Sequence, residues 1–302
     1  MTEIILNKNF QDWNLLIQEL EKNKTESKIY RGQSNYFDPH KKKFHKWNIE
    51  SSFNRFYGIN FYNFRTFLFQ QLNNVLFQKS YESYSYKEMK LLIDAGQLER
   101  LYYLQHYGIP TCFIDFTKNP LIASYFAITS VKGDNAGVED DDGNIQIYPN
   151  DCFVTIYEID FKMLMKLGVK TIQENDFPKN YDKFNIASNY IGLDLNPAEN
   201  CSNIDKIHNL QKQESCFILY DNFGSTLNFE TFINSLIRRK SISLEKPIIT
   251  AYHLDYNGIF KRLEYNNKKT TLFRFLEMEK FTGKYLFDDI QGLKYDFNYF
   301  HH

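Results

Sequence analysis

Thr111-Cys112-Phe113-Ile114-Asp115-Phe116-Thr117-Lys118-Asn119-Pro120-Leu121-Ile122-Ala123-Ser124-Tyr125-Phe126-Ala127 carries a strand, a turn and a helix in seventeen residues. Cys112 to Phe116 is short, apolar and bounded by Pro110, the pattern of a buried strand. Thr117 to Pro120 then starts a helix, with Asn119 as N-cap and Pro120 in the first turn, where a missing N–H does no harm. Leu121, Ile122, Tyr125 and Phe126 give that helix an apolar face. One acid, Asp115, interrupts the strand. A buried carboxylate is costly unless paired, so Asp115 is expected to cap a loop, to pair with an arginine or to serve a site directly.

Upstream, Phe10, Trp13, Leu16, Ile17 and Leu20 fall at helical spacing and predict an opening amphipathic helix. A polar break from Glu21 to Ser27 follows, then a short strand ending in Ile29-Tyr30. Residues 38–48 read as a loop; Lys41, Lys42, Lys43 and Lys46 in it could contact phosphate, although a charge run is usually a solvated surface. Phe61, Phe64, Leu68, Leu72, Val75 and Leu76 predict a second helix. A third runs from about Tyr86 to Tyr107, stopped by Gly108 and Pro110.

Downstream, residues 131–151 form a Gly- and Asp-rich insertion that reads as a solvated loop. A calcium-loop register fails there, since Val138 would hold the first ligand position and Pro149 the last. Phe153 to Tyr157, Phe217 to Tyr220 and Ile248 to His253 are further strands. Strands and helices do not alternate regularly, which predicts an α+β fold rather than a doubly wound sheet.

Composition narrows the function classes. The chain has 302 residues, 36 Lys and Arg against 37 Asp and Glu, and a formal net charge of −1, so it is not a strongly basic polyanion binder, though a local basic groove stays open. With 43% hydrophobic and 17% aromatic residues it can bury a sizeable core without staples. The sequence contains no Gly-x-Gly-x-x-Gly, no phosphate-loop Gly-Lys-Ser/Thr and no His-Glu-x-x-His. Its longest apolar stretch, Pro120 to Ile128, is far short of the roughly 20 residues a spanning helix needs. Met1-Thr2-Glu3 does not open a secretory signal. The cysteines at 112, 152, 201 and 216 fit neither a zinc knuckle nor a disulfide framework and read as reduced thiols. The expectation is a cytoplasmic protein with no membrane partner and no metal.

Tyr30-Arg31-Gly32-Gln33 resembles the opening signature of the FRG domain, named for its aromatic-Arg-Gly motif. Ser51-Ser52-Phe53-Asn54-Arg55 is similar to the segment that follows it in that family. Leu104-Gln105-His106-Tyr107-Gly108-Ile109-Pro110-Thr111 resembles the Gln-His-aromatic-Gly-x-Pro-Thr block, which runs on through Asp115-Phe116-Thr117 to Tyr125-Phe126-Ala127. Gln213-Glu214-Ser215-Cys216-Phe217 resembles a later Gln-Gln-Gly-x-Phe strand, and Leu286 to Gly292 the closing Leu-Phe-Pro-Asp-Leu-x-Gly segment. The departures are Cys112 in place of Arg, Glu214-Ser215 in place of Gln-Gly, and Asp288 in place of Pro. The resemblance implies an N-terminal helix, residues 1–27, packed on a single FRG domain over 28–302 with an acidic Gly-rich insertion at about 131–151.

A weaker similarity joins this pattern to the ADP-ribosyltransferases. An aromatic-Arg-Gly strand, a strand ending in Thr before a helix, and a third strand entered through Gln/Glu are similar to the three motif strands of that superfamily. This resemblance implies a mixed or antiparallel β core of that type with several surrounding helices, and NAD as substrate. By analogy Arg31 would bind the dinucleotide, Thr117 would shape the nicotinamide pocket, and Glu214 or Gln213 would stabilise the oxocarbenium-like transition state. Gly32 would admit a ligand closely. Tyr30, Tyr107 or Tyr125 would stack on nicotinamide or adenine. His106 would be a general base or a phosphate contact, unless it is a structural helix-end histidine. Each residue also has a plainer reading: Arg31 neutralises Asp115, Thr117 starts a helix, Glu214 is a solvated edge. The rival functions are a non-catalytic nucleotide- or partner-binding module, and a toxin or phage-defence factor acting on nucleic acid.

Overall fold

The computed structural model describes residues 4–34, 36–38, 43–45, 48–52, 97–106, 111, 113–129, 138–139, 145–146, 153–172, 190–199, 208–221, 229–255, 258–259, 261–282 and 285–286. In chain order its elements are β1 (Ile5–Phe10), α1 (Trp13–Asn23), β2 (Lys28–Ser34), β3 (Tyr36–Asp38), β4 (Lys43–His45), α2 (Gln97–His106), β5 (Phe113–Thr117) and α3 (Pro120–Thr129). Then follow β6 (Val138–Glu139), β7 (Ile145–Gln146), β8 (Phe153–Asp160), α4 (Phe161–Lys166), β9 (Lys170–Thr171), β10 (Tyr190–Asp194), α5 (His208–Lys212) and β11 (Ser215–Asp221). The last are α6 (Phe229–Lys240), β12 (Ile249–Asp255), β13 (Leu263–Tyr265), β14 (Lys268–Thr270) and α7 (Leu272–Met278).

An eight-stranded mixed sheet in the order β1-β12-β8-β2-β5-β11-β10-β9 organises the molecule. Its pairings are antiparallel except for β1 on β12 and β9 on β10. Each face carries its own core. Ile29, Ile114, Phe116, Tyr157, Ile159 and Ile218 pack on one side with Leu164 of α4 and Phe229, Phe232 and Ile233 of α6. Tyr30, Val154, Ile156, Tyr252 and Leu254 pack on the other with Trp13 and Leu16 of α1, Ile122 and Tyr125 of α3, and Leu272, Phe275 and Leu276 of α7. Successive strand residues point to opposite faces, so Ile29 and Tyr30 begin the two cores side by side on β2.

Several expectations hold and several are corrected. The opening helix forms, capped by Asp12, whose carboxylate accepts from the Asn14 and Leu15 amides. Phe10 is not part of it. It ends β1, a parallel edge strand whose register runs from Ile5 opposite Ile249 to Phe10 opposite Leu254. That six-residue segment lacks strict alternation, which hid it in the sequence. The stretch 38–48 is not wholly loop, because Asp38 pairs with Lys43 in the β3–β4 hairpin. Likewise the 131–151 insertion contains the short β6–β7 hairpin. Asn119 caps α3 as expected, its side-chain oxygen accepting from the Leu121 amide at 3.0 Å. The helix expected over Phe61 to Leu76, and the 86–96 part of the third helix, lie outside the described residues. Among the described residues, no helix is long and apolar enough to cross a membrane.

Candidate functional site at a split in the sheet

β2 and β5 are neighbours in the sheet, yet they share a single ladder pair, Tyr30 opposite Thr117. β2 runs along β8 for its whole length, from Lys28 opposite Asp160 to Ser34 opposite Val154. β5 runs along β11 from Thr117 opposite Ser215 to Phe113 opposite Leu219. Beyond the one shared rung the strands part, so the sheet consists of two four-stranded halves joined at a corner and open at the other end.

Side chains confirm the opening. Thr117 faces the same way as its partner Tyr30, and so does Asp115, two residues back along β5. Arg31 faces the opposite way. In an intact ladder Arg31 and Asp115 would stand on opposite faces and could not meet. Here Arg31 Nη1 donates to the Asp115 main-chain carbonyl at 2.8 Å and lies 3.7 Å from its carboxylate. The guanidinium passes through the split.

The rest of this mouth is polar. Arg31 Nε donates to Gln33 Oε1 at 3.4 Å, and Tyr157 stands opposite Arg31 on β8. Burial pushes the Tyr157 phenol well up; Glu230, at the start of α6, adds to this, while Arg31 and a hydrogen bond with Gln33 oppose it. On the other side, Gln105 Nε2 donates to both Asp115 carboxylate oxygens at 2.8 Å. The Asp115 side chain is 54% exposed and that of Arg31 12% exposed. The expectation of a buried carboxylate is thereby corrected: Asp115 lines an opening, which is why an acid is tolerated between Ile114 and Phe116. Exposure also limits the direct ion-pair energy to about 0–1 kcal/mol, so the pairing is mainly a matter of orientation.

Gln105 reaches this place because of how α2 is seated. Leu98, Tyr102 and Gln105 lie on one helical face. Tyr102 is fully buried, with its ring 5.0 Å from both Phe113 and Phe217. Its hydroxyl donates to the buried Asp194 carboxylate. A glutamine one turn on from a buried tyrosine is a polar residue on an apolar face. That is the signal by which the sequence could have yielded it.

At the closed corner stand Thr117, Gln213 and Glu214. The Thr117 hydroxyl donates to the Gln213 carbonyl at 2.7 Å and accepts from the Asn119 amide at 3.1 Å. Gln213 Nε2 donates to the Leu286 carbonyl at 3.1 Å. Glu214 is exposed, adopts φ 46° and accepts from Asn119 Nδ2 at 2.9 Å, while its carbonyl accepts from the Lys118 amide at 3.0 Å. From strand spacings its backbone lies roughly 12 Å from that of Arg31.

Other expected site residues are placed elsewhere. Tyr30 is fully buried among α1 and α3 side chains, and Tyr125 is fully buried on α3, its ring 6.5 Å from that of Phe273. Neither is open to stack on a ligand. Gly32 does admit a close approach, but what approaches is α3. A Cβ there would stand 1.7 Å from the Ala123 carbonyl oxygen and 2.8 Å from the Ala127 nitrogen, so no side chain fits. The backbone of His106 ends α2, while its side chain, like all of Tyr107, lies outside what is described. Ser52, Gln105, Thr111 and Tyr157 have no expected role in the sequence, yet the structure places them in or behind this mouth. The first three lie inside the FRG-like motif blocks.

The observed class is thus a mixed α/β domain built on a split sheet with an Arg–Asp–Gln mouth. A family model for the FRG domain matches residues 26–136, a span that holds Arg31, Ser52, Gln105, Thr111, Asp115 and Thr117. β8, β11 and β12 of the same sheet lie beyond that span. No curated protein and no solved structure matches the chain.

Proposed function

We propose that the split binds NAD and that the protein is ADP-ribosyltransferase-like, transferring ADP-ribose to a macromolecule or hydrolysing NAD. The observation that carries this reading is the row Tyr30–Thr117–Ser215, which brings three sequence-distant motifs onto adjacent strands beside the opening. Arg31 offers a planar fork of donors suited to a pyrophosphate. Glu214 offers an exposed carboxylate; Gln213, whose amide is held by Leu286, is the poorer candidate. The separation between Arg31 and Glu214 is one that a single dinucleotide can bridge.

The chemistry needs little else. Cleavage of the ribose–nicotinamide bond leaves the electron pair on nicotinamide and builds positive charge on the sugar, which a nearby carboxylate stabilises. The acceptor, or water, then bonds to the anomeric carbon and gives up its proton to that carboxylate or to solvent. Thr117 holds the corner from which Glu214 projects. Tyr30, Gly32 and Tyr125 have no part in this scheme beyond holding the fold.

NAD binding measured by equilibrium dialysis tests the assignment. Arg31→Ala is expected to weaken it by about tenfold or more, the loss of one or two charged hydrogen bonds, with the thermal transition nearly unmoved. Unchanged affinity in that variant would sink it.

One observation favours a second reading, a nucleotide-binding module without turnover: Thr117, Gln213 and Glu214 all make hydrogen bonds that hold the β5–α3 corner. That reading predicts that NAD raises the unfolding temperature while no nicotinamide is released on long incubation. If the protein is a toxin or defence factor acting on nucleic acid, label would instead pass to DNA or RNA. The lysines proposed to hold such an acceptor, Lys41, Lys42, Lys43 and Lys46, have side chains outside the described residues.

A further inference from the structure

The mouth contains one glutamine whose bonding pattern has a direction. A carboxylate only accepts, so the Gln105 amide must turn its NH2 toward Asp115, and it donates to both oxygens at 2.8 Å. Its carbonyl oxygen then faces away, where it accepts from the Thr111 hydroxyl. With its one hydrogen donated to Gln105, that hydroxyl is left as acceptor and takes the Phe113 amide at 3.2 Å. Thr111 is fully buried and clamped in turn by Ser52, whose hydroxyl accepts from the Thr111 amide at 3.1 Å and donates to its carbonyl at 3.4 Å. No member can be turned over without breaking its neighbour's bond. The chain ends on Arg31, which Asp115 meets with both its carbonyl and its carboxylate.

We propose that Gln105 is a positioning residue: anchored through Thr111 to Ser52, it fixes the Asp115 carboxylate and thereby sets the direction of the Arg31 guanidinium in the split. Three motif blocks far apart in sequence, holding Arg31, Ser52 and the Gln105–Asp115 stretch, are thus one hydrogen-bonded device. Packing alone asks nothing of the kind, because a leucine at 105 would continue the apolar face of Leu98 and Tyr102 and leave α2 seated. What it would release is Asp115. A carboxylate 54% exposed and free of its amide rotates toward water, and the guanidinium loses one of its stops. Insofar as Arg31 holds NAD, this device rests on the function proposed above; as an orienting device for Arg31 it does not.

Two readouts separate those claims. The first is the rate at which phenylglyoxal modifies Arg31, followed by peptide mass spectrometry at fixed pH on the full chain. Gln105→Leu is expected to speed this modification several-fold, with the unfolding temperature nearly unchanged. Gln105→Glu keeps the shape and the bond from Thr111 but sets a second carboxylate against Asp115, and should do the same. Thr111→Val, which removes the anchor, should follow in smaller measure. The second readout is the dissociation constant for NAD in a cycle of Gln105→Leu with Arg31→Ala. Gln105→Leu should weaken binding several-fold in the native background and have no further effect once Arg31 is gone. Unaltered Arg31 reactivity in folded Gln105→Leu and Gln105→Glu proteins overturns the positioning role. An equal loss of NAD affinity with and without Arg31 overturns it too, since Gln105 would then act directly. Altered reactivity with no NAD binding by the native protein keeps the positioning role and removes NAD as the ligand.

Discussion

The two faces of β2 do opposite work with adjacent residues. On one face Tyr30 and Gly32 are given over to packing: Tyr30 is fully buried, and Gly32 leaves its Cβ space to the α3 backbone. On the other, Arg31 and Gln33 are polar and bonded to each other, and Arg31 reaches through the split to Asp115. A single motif, Tyr30-Arg31-Gly32-Gln33, therefore encodes the packing of the fold and the polar mouth in alternation. Because the side-chain period of a strand is two, a slip of one residue in register would exchange these roles and destroy both.

The contrast can be broken on its packing face most severely at Gly32. Gly32→Ala places a methyl 1.7 Å from the Ala123 oxygen, so α3 must move. Overpacking of this kind costs about 1–3 kcal/mol or more, and here the obstacle is helix backbone that cannot rotate away. The variant is expected to lose its cooperative thermal transition, whereas Arg31→Ala on the other face should melt close to the native protein. Similar melting of the two would undo the distinction.

A second test is alkaline stability. Burial raises the Cys216 thiol above its ordinary 9.0, and raises the Tyr30, Tyr157 and Tyr252 phenols above 10.0. The folded protein holds these groups protonated where the unfolded chain ionises them. Stability is therefore fully present below the unfolded thiol's 9.0 and is lost progressively as pH rises above it toward the raised folded values. Denaturant midpoints measured from pH 7 to 11 should fall steeply at the alkaline end, and a flat profile would contradict the buried placement of these groups.

Smaller effects separate the closed corner from the open mouth. Asn119 caps α3 and holds Glu214, so Asn119→Ala should cost about 1–2 kcal/mol in chemical denaturation. Glu214→Gly removes the carboxylate but relieves a left-handed backbone at φ 46°, and the two changes nearly offset in stability. If Glu214 stabilises the sugar cation, this variant folds and is inactive; full activity would remove Glu214 from the chemistry. The smallest effect belongs to Tyr30→Phe. Among the described residues the Tyr30 hydroxyl is buried without a hydrogen-bond partner, so its removal should be neutral or stabilise by about 1 kcal/mol, with NAD binding untouched.

How far the sequence could be read follows the same division. The strand–cap–helix unit from Phe113 to Thr129 was legible because Asn119 and Pro120 act locally and the apolar spacing is regular. β1 was not, since its membership in the sheet depends on β12, far along the chain. The Arg31–Asp115 pairing is one of the alternatives that the sequence offers. The split that allows it is not, because a parting of strands is a property of two ladders together and leaves no mark on either strand alone. The packing of Gly32, Tyr30 and Tyr125 inside the fold was hidden for a related reason: sequence shows that a glycine permits close approach, not whether ligand or helix makes it. Gln105 and Thr111 lay in view as motif letters, but a side-chain hydrogen bond between them has no periodicity to betray it.

Incubation of the folded protein with labelled NAD, in the presence of DNA, RNA and a cell lysate, decides whether the protein consumes NAD through Arg31. Nicotinamide release and label transfer would be followed for the native protein, Arg31→Ala and Tyr30→Phe. The account predicts release by the native protein and by Tyr30→Phe, loss of it in Arg31→Ala, and label on the acceptor class. Equal release by Arg31→Ala, or no release by folded native protein, would contradict it.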